Sequence, residues 1–497
     1  MTMNLAVLLD MAADGLRDRV VIGSRDGGLT AHRLRALACG GARLVRDEGA
    51  DAVVFLAVNG PAFPAALFAA AHAGVPLVPV NYRLGREQLD GVLARHPGAL
   101  LIADPEQARG RAAGAVRTPQ QWLAAAEAAA PQEPPPPVET DAPAVVIYTS
   151  GTTSAPKGVL LRHHNLLAYV FGTVEFASAA AEDAALTSVP PYHIAAVSNV
   201  LSNLYAGRRV VALPAFDARD WLEAVRRERV TNAMVVPTML ARIMDCTDTD
   251  RAVPSLRAVA YGGARMPARV IEQALREWSH VGFVNAYGLT ETSSTIAVLG
   301  PEDHRAALAG DDPAVRARLG SVGHVVAGVE VEVRDATGAA VAPGTPGRIW
   351  VRGDQVAAEY AGSSPAVDDR GFFDTRDQGR FDEAGYLFVD GRVDDTIIRG
   401  AENIAPAEIE DVLLRHPDVL DAVVVGVPDD EWGQRLEAVV VLAAGAGTSA
   451  EELRGYVRAR LRGSKTPDRI VFWTELPRTV TGKLVRRDVV AGLAAGS

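Results

Sequence analysis

The chain has 497 residues, 48% of them hydrophobic and 22% charged, and a formal net charge of −11 at pH 7. A chain of this length exceeds one ordinary hydrophobic core, so we expect at least two domains. Because the charge is negative and the sequence has no basic arm or stripe, a nucleic-acid partner is disfavoured.

The first residues and the cysteines bear on the cellular compartment. The segment 1–15, MTMNLAVLLDMAADG, lacks a basic start and carries Asp10 at the end of its short apolar run, so it does not read as a secretory signal. Cys39 and Cys246 are too few for a disulfide framework or a four-ligand zinc site, and we expect both to be buried thiols. These features predict a cytoplasmic protein.

A long apolar stretch, PAFPAALFAAAHAGVPLVPV, occupies 61–80. It contains four prolines and His72, which are poorly tolerated in a membrane-spanning helix. The stretch therefore predicts a helix followed by a buried strand, and no membrane span.

Short apolar runs bounded by Gly or Pro alternate with helical stretches rich in Ala, Leu and Arg along the first part of the chain. The runs lie at 52–58, 75–80, 144–150, 209–213, 233–237, 258–263 and 281–288. This alternation predicts an α/β fold with mainly parallel sheets covered by helices on both faces. The proline-rich stretch 131–143 breaks the pattern and is expected to be a linker or surface crossing.

The pattern changes twice in the last third of the chain. After about residue 325, VEVEVRD and GRIWVRG alternate apolar and polar residues, which predicts a small antiparallel β unit. After 391–400 the sequence suggests a compact α+β domain. The chain therefore divides into a large N-terminal body and a small C-terminal domain.

The stretch YTSGTTSAPKGV, at 148–159, combines hydroxyl residues, two glycines and one lysine directly after a buried strand. Backbone N–H groups of such a turn, together with the charge of Lys157, suit phosphate oxygens. The spacing differs from that of a Walker A loop, and a flexible linker is the alternative interpretation.

The same stretch resembles a motif of a known enzyme family. TSGTTSAPKG resembles the TSGTTG-x-PKG signature of the adenylate-forming superfamily, which includes acyl-CoA synthetases, peptide-synthetase adenylation domains and beetle luciferases. Further segments resemble that family's motifs in the same order, and the likeness covers the chain from residue 50 onward. They are PPYHIAAVSN (190–199), YGGARMP (261–267), NAYGLTE (285–291), FFDTRDQGRFDEAGYLFVDGR (372–392), RVDDTIIRGAENIAPAEIE (392–410) and LPRTVTGKLVRR (476–487).

The resemblance implies ATP, Mg²⁺ and CoA as small-molecule partners, and it implies a role for each matched residue. The β- and γ-phosphates would be held by Thr149, Ser150, Gly151, Thr152, Thr153 and Lys157. Thr290 would bond the α-phosphate, Glu291 would hold Mg²⁺, and Lys483 would reach the α-phosphate and the acyl oxygens. The adenine and acyl sites would be lined by Gly262, Gly263, Ala264, Ala286 and Tyr287.

The remaining implied roles concern the ribose, the acid and the second half-reaction. Asp377 and Arg392 would bind the ribose hydroxyls, and His193 would stand at the mouth of the carboxylate pocket. The resemblance also implies a hinge at 392–395, between a body of 1–391 and a mobile C-terminal domain of 396–497. Asp394 would be the pivot between a pose with Lys483 in the site and one with it outside. Gly400 and Ala401 would line the pantetheine tunnel, while Lys465 and Arg469 are either CoA-phosphate contacts or plain surface.

Each of these residues also has a purely structural interpretation. Tyr287 could be a core residue, Asp377 and Glu291 solvated loop carboxylates, and His193 a satisfied core histidine. The pair beginning at Asp394 could be a solvated turn. Sharing one ordered set of motifs favours the functional interpretation for all of them.

Two positions depart from the family pattern. Ser154 replaces a usual Gly in the phosphate loop, which is mild because the loop keeps its other glycines. Ala401 replaces the second Gly of RGGEN, where backbone would approach the thiol arm of CoA. An added methyl in a tight contact costs about 1–3 kcal/mol, so transfer to a thiol is less well supported than adenylation.

We therefore expect an AMP-forming acid:CoA ligase, most like a free-standing bacterial acyl-CoA ligase. The small side chains of 195–199 favour a monocarboxylic aromatic or medium-chain acid. One alternative is an adenylating enzyme that passes the activated acid, or an activated oxyacid such as nitrite, to an acceptor other than CoA. Another is a nucleotide-binding scaffold without catalysis, which intact Lys157, Glu291 and Lys483 disfavour. The oligomeric state stays open.

Overall fold

The computed structural model describes residues 3–108, 116–131, 138, 140–149, 156–392, 395–399, 402–429, 432–461, 463–479 and 484–495. The proline-rich stretch predicted as a linker lies largely outside these residues, as do 393 and 394 of the predicted hinge.

The first part of the body alternates short strands with helices. Its helices are α1 (Val7–Leu16), α2 (Ala31–Asp47), α3 (Ala62–Ala73), α4 (Arg86–Leu93), α5 (Pro105–Ala108) and α6 (Pro119–Ala128). Its strands are β1 (Val20–Ile22), β2 (Leu29–Thr30), β3 (Val53–Leu56), β4 (Leu77–Pro79), β5 (Leu100–Ala103), β6 (Val116–Arg117), β7 (Val145–Thr149) and β8 (Lys157–Leu161).

The second part of the body continues the alternation. Its helices are α7 (His163–Thr173), α8 (Ile194–Ala206), α9 (Ala218–Arg227), α10 (Pro237–Met244), α11 (Ala268–Glu277), α12 (Pro301–Ala309) and α13 (Pro313–Ala317). Its strands are β9 (Ala184–Thr187), β10 (Arg209–Ala212), β11 (Asn232–Val235), β12 (Ala258–Gly262), β13 (Gly282–Leu289), β14 (Ser294–Leu299) and β15 (His324–Val325).

The body contains two large sheets, each parallel in its interior. One has the strand order β6-β5-β3-β4-β7-β8, with only the β7–β8 pair antiparallel. The other has the order β15-β14-β13-β12-β11-β9-β10-β1-β2, with antiparallel strands at its two ends. The α/β class and the doubly covered parallel sheets predicted from the sequence are confirmed.

Burial on both faces of these strands explains their unbroken apolar runs. Along β3, Val53 and Phe55 join a core that contains side chains of both sheets and of the helices between them. Val54 and Leu56 point to the opposite face, where they pack with Leu89 and its neighbours on α4. The helices α9, α10 and α11 cover the outer face of the larger sheet.

The small antiparallel unit predicted after residue 325 is present. It consists of β16 (Val329–Arg334), β17 (Gly347–Gly353), β18 (Phe373–Phe381) and β19 (Leu387–Arg392), paired in that order. A bulge in β18 falls between Gln378 and Gly379, beside the position where Asp377 pairs with Arg392.

The chain after the hinge forms the small α+β domain that the sequence predicts. Its elements are β20 (Ile397–Arg399), β21 (Glu402–Ile404), α14 (Pro406–Leu414), β22 (Val419–Asp429), β23 (Gly433–Leu442), α15 (Ala450–Arg458), β24 (Arg469–Phe472) and α16 (Arg486–Ala495). The sheet β22-β23-β24 buries one face against α14 and α15 and the other against α16.

The two cysteines differ in how deeply they are buried. Cys39 is buried, but Cys246 is only half-buried, and its thiol donates to Asp248 Oδ1 at 3.1 Å. The prediction of two buried thiols is therefore wrong for Cys246, because a surface turn that contains Asp248 holds this side chain.

Within the part of the chain that the structure describes, no helix has the length and apolar character needed to cross a membrane.

Candidate active site

The stem of the predicted phosphate loop is a tight antiparallel pair. Thr149 on β7 lies opposite Lys157 on β8, and its Oγ1 donates to the Lys157 carbonyl at 3.4 Å. Contacts from one neighbouring turn hold both flanks: the imidazole of His96 bonds the Tyr148 hydroxyl at 2.9 Å, and Arg95 donates to the Pro156 carbonyl at 2.9 Å. Ser150, Gly151, Thr152 and Thr153 lie outside the described residues.

Thr290 and Glu291 lie in a short 3₁₀ turn between β13 and β14. The turn is closed by the Thr292 hydroxyl, which bonds the N–H of Leu289 at 2.9 Å. Gly288, just before it, has no room for a side chain, because a Cβ there would lie 1.7 Å from the Ser294 carbonyl oxygen. Close strand approach therefore shapes the turn that presents Glu291.

Tyr360 joins Glu291 to the phosphate-loop stem. Its hydroxyl donates to Glu291 Oε1 at 2.9 Å, and Lys157 Nζ lies 5.9 Å from the centre of its ring. Burial and the Glu291 carboxylate raise the pKa of Tyr360, so its hydroxyl stays protonated and donates at neutral pH. The sequence analysis did not single out Tyr360, because AAEYAG contains no recognisable motif.

A second cluster lies where β13 meets the small β unit. The Tyr287 hydroxyl donates to Asp377 Oδ2 at 2.6 Å, and Arg392 Nε lies 2.9 Å from Asp377 Oδ1. Asp377 is buried, with 6% of its surface exposed. Burial raises the pKa of Tyr287 well above its ordinary value, and the Asp377 carboxylate adds to this effect. Tyr287, Asp377 and Arg392 thus form one hydrogen-bonded group.

The predicted adenine and acyl residues occupy two adjacent parallel strands and the turn that follows one of them. Gly262, at the end of β12, is the register partner of Ala286 on β13. A Cβ at Gly262 would lie 2.2 Å from the Ala286 carbonyl oxygen, and Gly263 has a φ of +80°. Both positions therefore need glycine, and Ala264 follows directly in the same turn.

His193 precedes the first residue of α8, and burial lowers the pKa of its imidazole to about 4. The side chain is therefore neutral at pH 7 and offers no positive charge to a carboxylate. The same helix lies against β14, since the Ser294 and Ser198 hydroxyls are 3.2 Å apart. His193 is thus carried by a helix that contacts the strand following Glu291.

The C-terminal domain contributes contacts on both sides of the predicted hinge. Arg486 pairs with Asp395 at 3.3 Å and with Glu410 at 2.7 Å, which ties the hinge to the start of α16. Arg265 of the body pairs with Asp411 on α14. Of the predicted residues in this region, Lys483, Asp394, Gly400 and Ala401 lie outside the described residues.

The two possible CoA-phosphate contacts are both paired with carboxylates. Lys465 pairs with Glu408, and Arg469 Nη1 lies 3.7 Å from Glu437 Oε2. These pairs favour the surface interpretation of both side chains.

The side-chain chemistry fits a metal-bound nucleotide. No cluster of three or more His, Cys, Asp or Glu side chains suitable for a metal occurs in the described part of the chain. Mg²⁺ in nucleotide sites needs no such cluster, because it takes one or two protein carboxylates, substrate phosphates and water. Glu291 supplies one such carboxylate. The Lys157 ammonium is near it, because both groups lie against the side chain of Tyr360.

The fold and the grouping of these side chains are those of a nucleotide-dependent enzyme. The profile of the AMP-binding enzyme family matches residues 9–361, and that of the AMP-binding enzyme C-terminal domain matches residues 408–483. The chain therefore belongs to the AMP-binding enzyme family, and the sequence-based prediction of an AMP-forming ligase is confirmed.

Curated relatives and solved structures agree with this assignment. Over 458 residues the chain is 36% identical to a feruloyl-CoA synthase of Amycolatopsis sp, covering 90% of each chain. It is 34% identical to an indoleacetate–CoA ligase of Aromatoleum aromaticum, covering 89% of this chain and 88% of the relative. Among solved structures, o-succinylbenzoate CoA synthetase from Bacillus subtilis with its acyl-adenylate intermediate has a TM-score of 0.83, 29% identity and 97% coverage of both chains.

Proposed function

We propose that the protein is an ATP-dependent acid:CoA ligase that forms an acyl-adenylate and transfers the acyl group to the thiol of CoA. The observation that carries the proposal is that two side-chain groups assemble around β13 and the turn that follows it, one at Tyr287 and one at Glu291. The group of Tyr287, Asp377 and Arg392 suits a ribose, while Glu291 with Lys157 suits phosphates and a metal ion.

The first half-reaction breaks one bond and forms one bond at the α-phosphorus of ATP. A carboxylate oxygen of the acid attacks that phosphorus, and the bond to pyrophosphate breaks. Such a step depends on positioning and on stabilising negative charge rather than on covalent help from the protein. Mg²⁺, when bound, would neutralise phosphate charge, with Glu291 as its protein ligand. Thr290 would donate to the α-phosphate, and Lys157 would hold the outer phosphates.

The buried carboxylate of Asp377 would accept hydrogen bonds from the ribose hydroxyls. Arg392 pairs with that carboxylate and adds donors of its own. The face of Tyr287 and the glycine turn at 262–263 would border the adenine.

The second half-reaction requires the C-terminal domain to change its pose. We propose that 392–395 is the hinge and that Lys483 leaves the site as 400–401 enters it. Arg486 connects the hinge to the segment that carries Lys483, because it pairs with Asp395, the last hinge residue, and begins the helix that follows Lys483. The cytoplasmic location stays a prediction.

We propose an aromatic or arylalkanoic monocarboxylic acid as the substrate class. Two relatives described as acting on ferulate and indoleacetate support this class. The neutral imidazole of His193 and the small side chains that follow it also favour an uncharged acyl tail. Both relatives are named as enzymes that join an acid to CoA. Their names do not support the alternative of an acceptor other than CoA.

The test is pyrophosphate release across a panel of aromatic, arylacetic, medium-chain, dicarboxylic and inorganic oxyacids, each with and without CoA. We expect CoA-dependent formation of an acyl-CoA, detected by mass spectrometry, with an aromatic or arylalkanoic acid. Adenylate that accumulates and is not discharged by CoA would contradict the CoA step.

Lys483→Ala probes the first half-reaction in the same assay. Loss of a preorganised donor to developing charge costs on the order of 10²–10³ in rate, so we expect at least that loss of pyrophosphate release. Arg487→Ala removes an exposed cation four residues away and is the matched control. Equal rates in the two variants would remove Lys483 from the proposal.

A further inference from the structure

Residues 357–361, here called the bridging segment, are hydrogen-bonded to the strand that follows the phosphate loop. The Leu160 N–H donates to the Glu359 carbonyl at 2.9 Å, and the Ala361 N–H donates to the Gly158 carbonyl at 2.8 Å. The Glu359 carboxylate also receives both arms of Arg162, at 2.7 and 2.8 Å. Main-chain and side-chain contacts together therefore fix β8 to the bridging segment.

The same segment is bonded to the turn that carries Glu291. The N–H groups of Ala357 and Ala358 both donate to the Glu291 carbonyl, at 2.8 and 3.2 Å. Just before them, the buried amide of Gln355 donates to the carbonyls of Thr292 at 3.1 Å and Thr295 at 2.8 Å. Motion of the Glu291 main chain relative to β8 is thereby restricted.

The side chain of Tyr360 completes this link. Its hydroxyl donates to Glu291 Oε1, and its ring faces the Lys157 ammonium at 5.9 Å. A hydrogen bond to a carboxylate is about twice as strong as one between neutral groups. An ammonium over a tyrosine ring is attracted by the ring quadrupole. One side chain therefore touches the two charged groups that would face the phosphates and their metal ion.

We propose that Tyr360 is a positioning residue that sets how tightly the enzyme binds the metal complex of ATP. The inference rests on the proposed function, which makes Glu291 the metal ligand. The hydroxyl on Oε1 restricts rotation of the carboxylate and leaves Oε2 as the oxygen that would bind the metal. The ring separately attracts the Lys157 ammonium, which we assign to the outer phosphates.

Preorganisation matters here because Mg²⁺ demands near-ideal geometry from few protein ligands. A carboxylate already held in one orientation loses less conformational entropy when the metal complex binds. The hydroxyl should therefore affect binding of the metal complex, while the ring should affect binding of ATP with or without metal.

The test is calorimetric titration of ATP into the full-length protein in the absence of acid substrate, with either Mg²⁺ or EDTA present. Tyr360→Phe removes only the hydroxyl, and we expect about tenfold weaker binding with Mg²⁺ and unchanged binding with EDTA. Tyr360→Leu also removes the ring, and we expect binding with EDTA to weaken about threefold as well.

Tyr386→Phe is the matched control. It removes a phenol hydroxyl that donates to another body carboxylate, Asp303 Oδ1, at 2.7 Å. Tyr386 is outside the group of side chains that we assign to nucleotide binding. We expect wild-type nucleotide affinity in this variant under both conditions, and thermal denaturation of each variant reports whether it folds.

Glu291→Gln separates failure of this inference from failure of the proposed function. Weaker Mg²⁺-dependent binding in Glu291→Gln together with wild-type binding in Tyr360→Phe would overturn the role of Tyr360 alone. Wild-type binding in Glu291→Gln would remove the metal assignment itself. Non-additive losses in the double variant Tyr360→Phe/Glu291→Gln would support coupling through the hydrogen bond.

Discussion

At the scale of single residues, Asp377 is a buried carboxylate with two close partners. Its carboxylate accepts from the Tyr287 hydroxyl and lies against Arg392, yet its residue is only 6% exposed. A buried charge of this kind is stable only while its partners remain in place. The short contacts therefore hold the carboxylate in one orientation, which suits the ribose contact that we propose for it.

Asp377→Asn keeps the size of the side chain and removes its charge. Hydrogen bonds to an ionised acceptor are stronger than those to a neutral one, so we expect ATP to bind at least tenfold more weakly. Asp390→Asn is the control, because Asp390 pairs with Arg380 on the same two strands and is not one of the three side chains of the proposed ribose group. Calorimetry on the two folded variants makes the comparison, and wild-type affinity in Asp377→Asn would argue against a ribose contact.

At the scale of elements, the site depends on how closely neighbouring strands approach. The main chain of β13 contacts β12 at Gly262 and β14 at Gly288, and neither position leaves space for a Cβ. The chain between these contacts contains Tyr287 and leads to Glu291. The separation of strands therefore determines where both functional groups lie.

Gly262→Ala tests this dependence. The added methyl would lie 2.2 Å from the Ala286 carbonyl oxygen, so β12 and β13 must shift apart. Overpacking of this kind costs about 1–3 kcal/mol, and we expect a lower thermal midpoint together with weaker ATP binding.

Gly172→Ala is the control for the same chemical change, since Gly172 lies in α7 with its nearest contact 3.9 Å away. There, alanine should raise helix stability by about 1 kcal/mol or less. Equal effects of the two substitutions would contradict the close-approach argument.

At the scale of the whole molecule, we expect several buried or half-buried histidines to make stability depend on pH. Burial lowers the pKa of His72, His163 and His193 from an ordinary 6.5 to about 4. Between these two pH values the unfolded chain binds protons that the folded chain does not. Stability should therefore fall as the pH is lowered from about 6.5 towards 4, and it should be insensitive to these groups above pH 7.

His72→Leu should weaken this pH dependence. His72 is 3% exposed, and neither of its ring nitrogens has a hydrogen-bond partner among the described residues. Nearby Asp10, whose pKa is raised mainly by burial, acts in the opposite sense but only close to the pH where carboxylates titrate. Urea unfolding midpoints at pH 7, 6 and 5 should decline less in the variant, and parallel declines would exclude His72 as a contributor.

Much of the fold could be predicted from local patterns. The apolar runs at 52–58, 75–80 and 144–150 contain β3, β4 and β7, because strands buried on both faces need continuous apolar side chains. Sequence periodicity did not indicate that the strands divide into two sheets with helices between them. That division depends on pairing between segments far apart in the chain, such as β1 with β10.

The candidate site also contains residues that the sequence predicted and one that it did not. Tyr287, Asp377 and Arg392 were predicted to serve one ligand from their motifs, and the structure brings them into one hydrogen-bonded group. Tyr360 was not predicted, although it contacts Glu291 across 69 positions of sequence. Its role depends on the register of the bridging segment against β8, which leaves no mark on the local sequence.

The sequence by itself determined the class of fold, the family and most of the residue types that the chemistry requires. These follow from local demands: buried strands must be apolar, tight turns need glycine, and phosphate and metal sites need lysine and carboxylate. Only the tertiary structure decided which side chains meet, namely Glu291 with Tyr360 and Asp377 with Arg392. Such contacts arise when distant segments pack together, and a pattern read along the chain contains no distances between those segments.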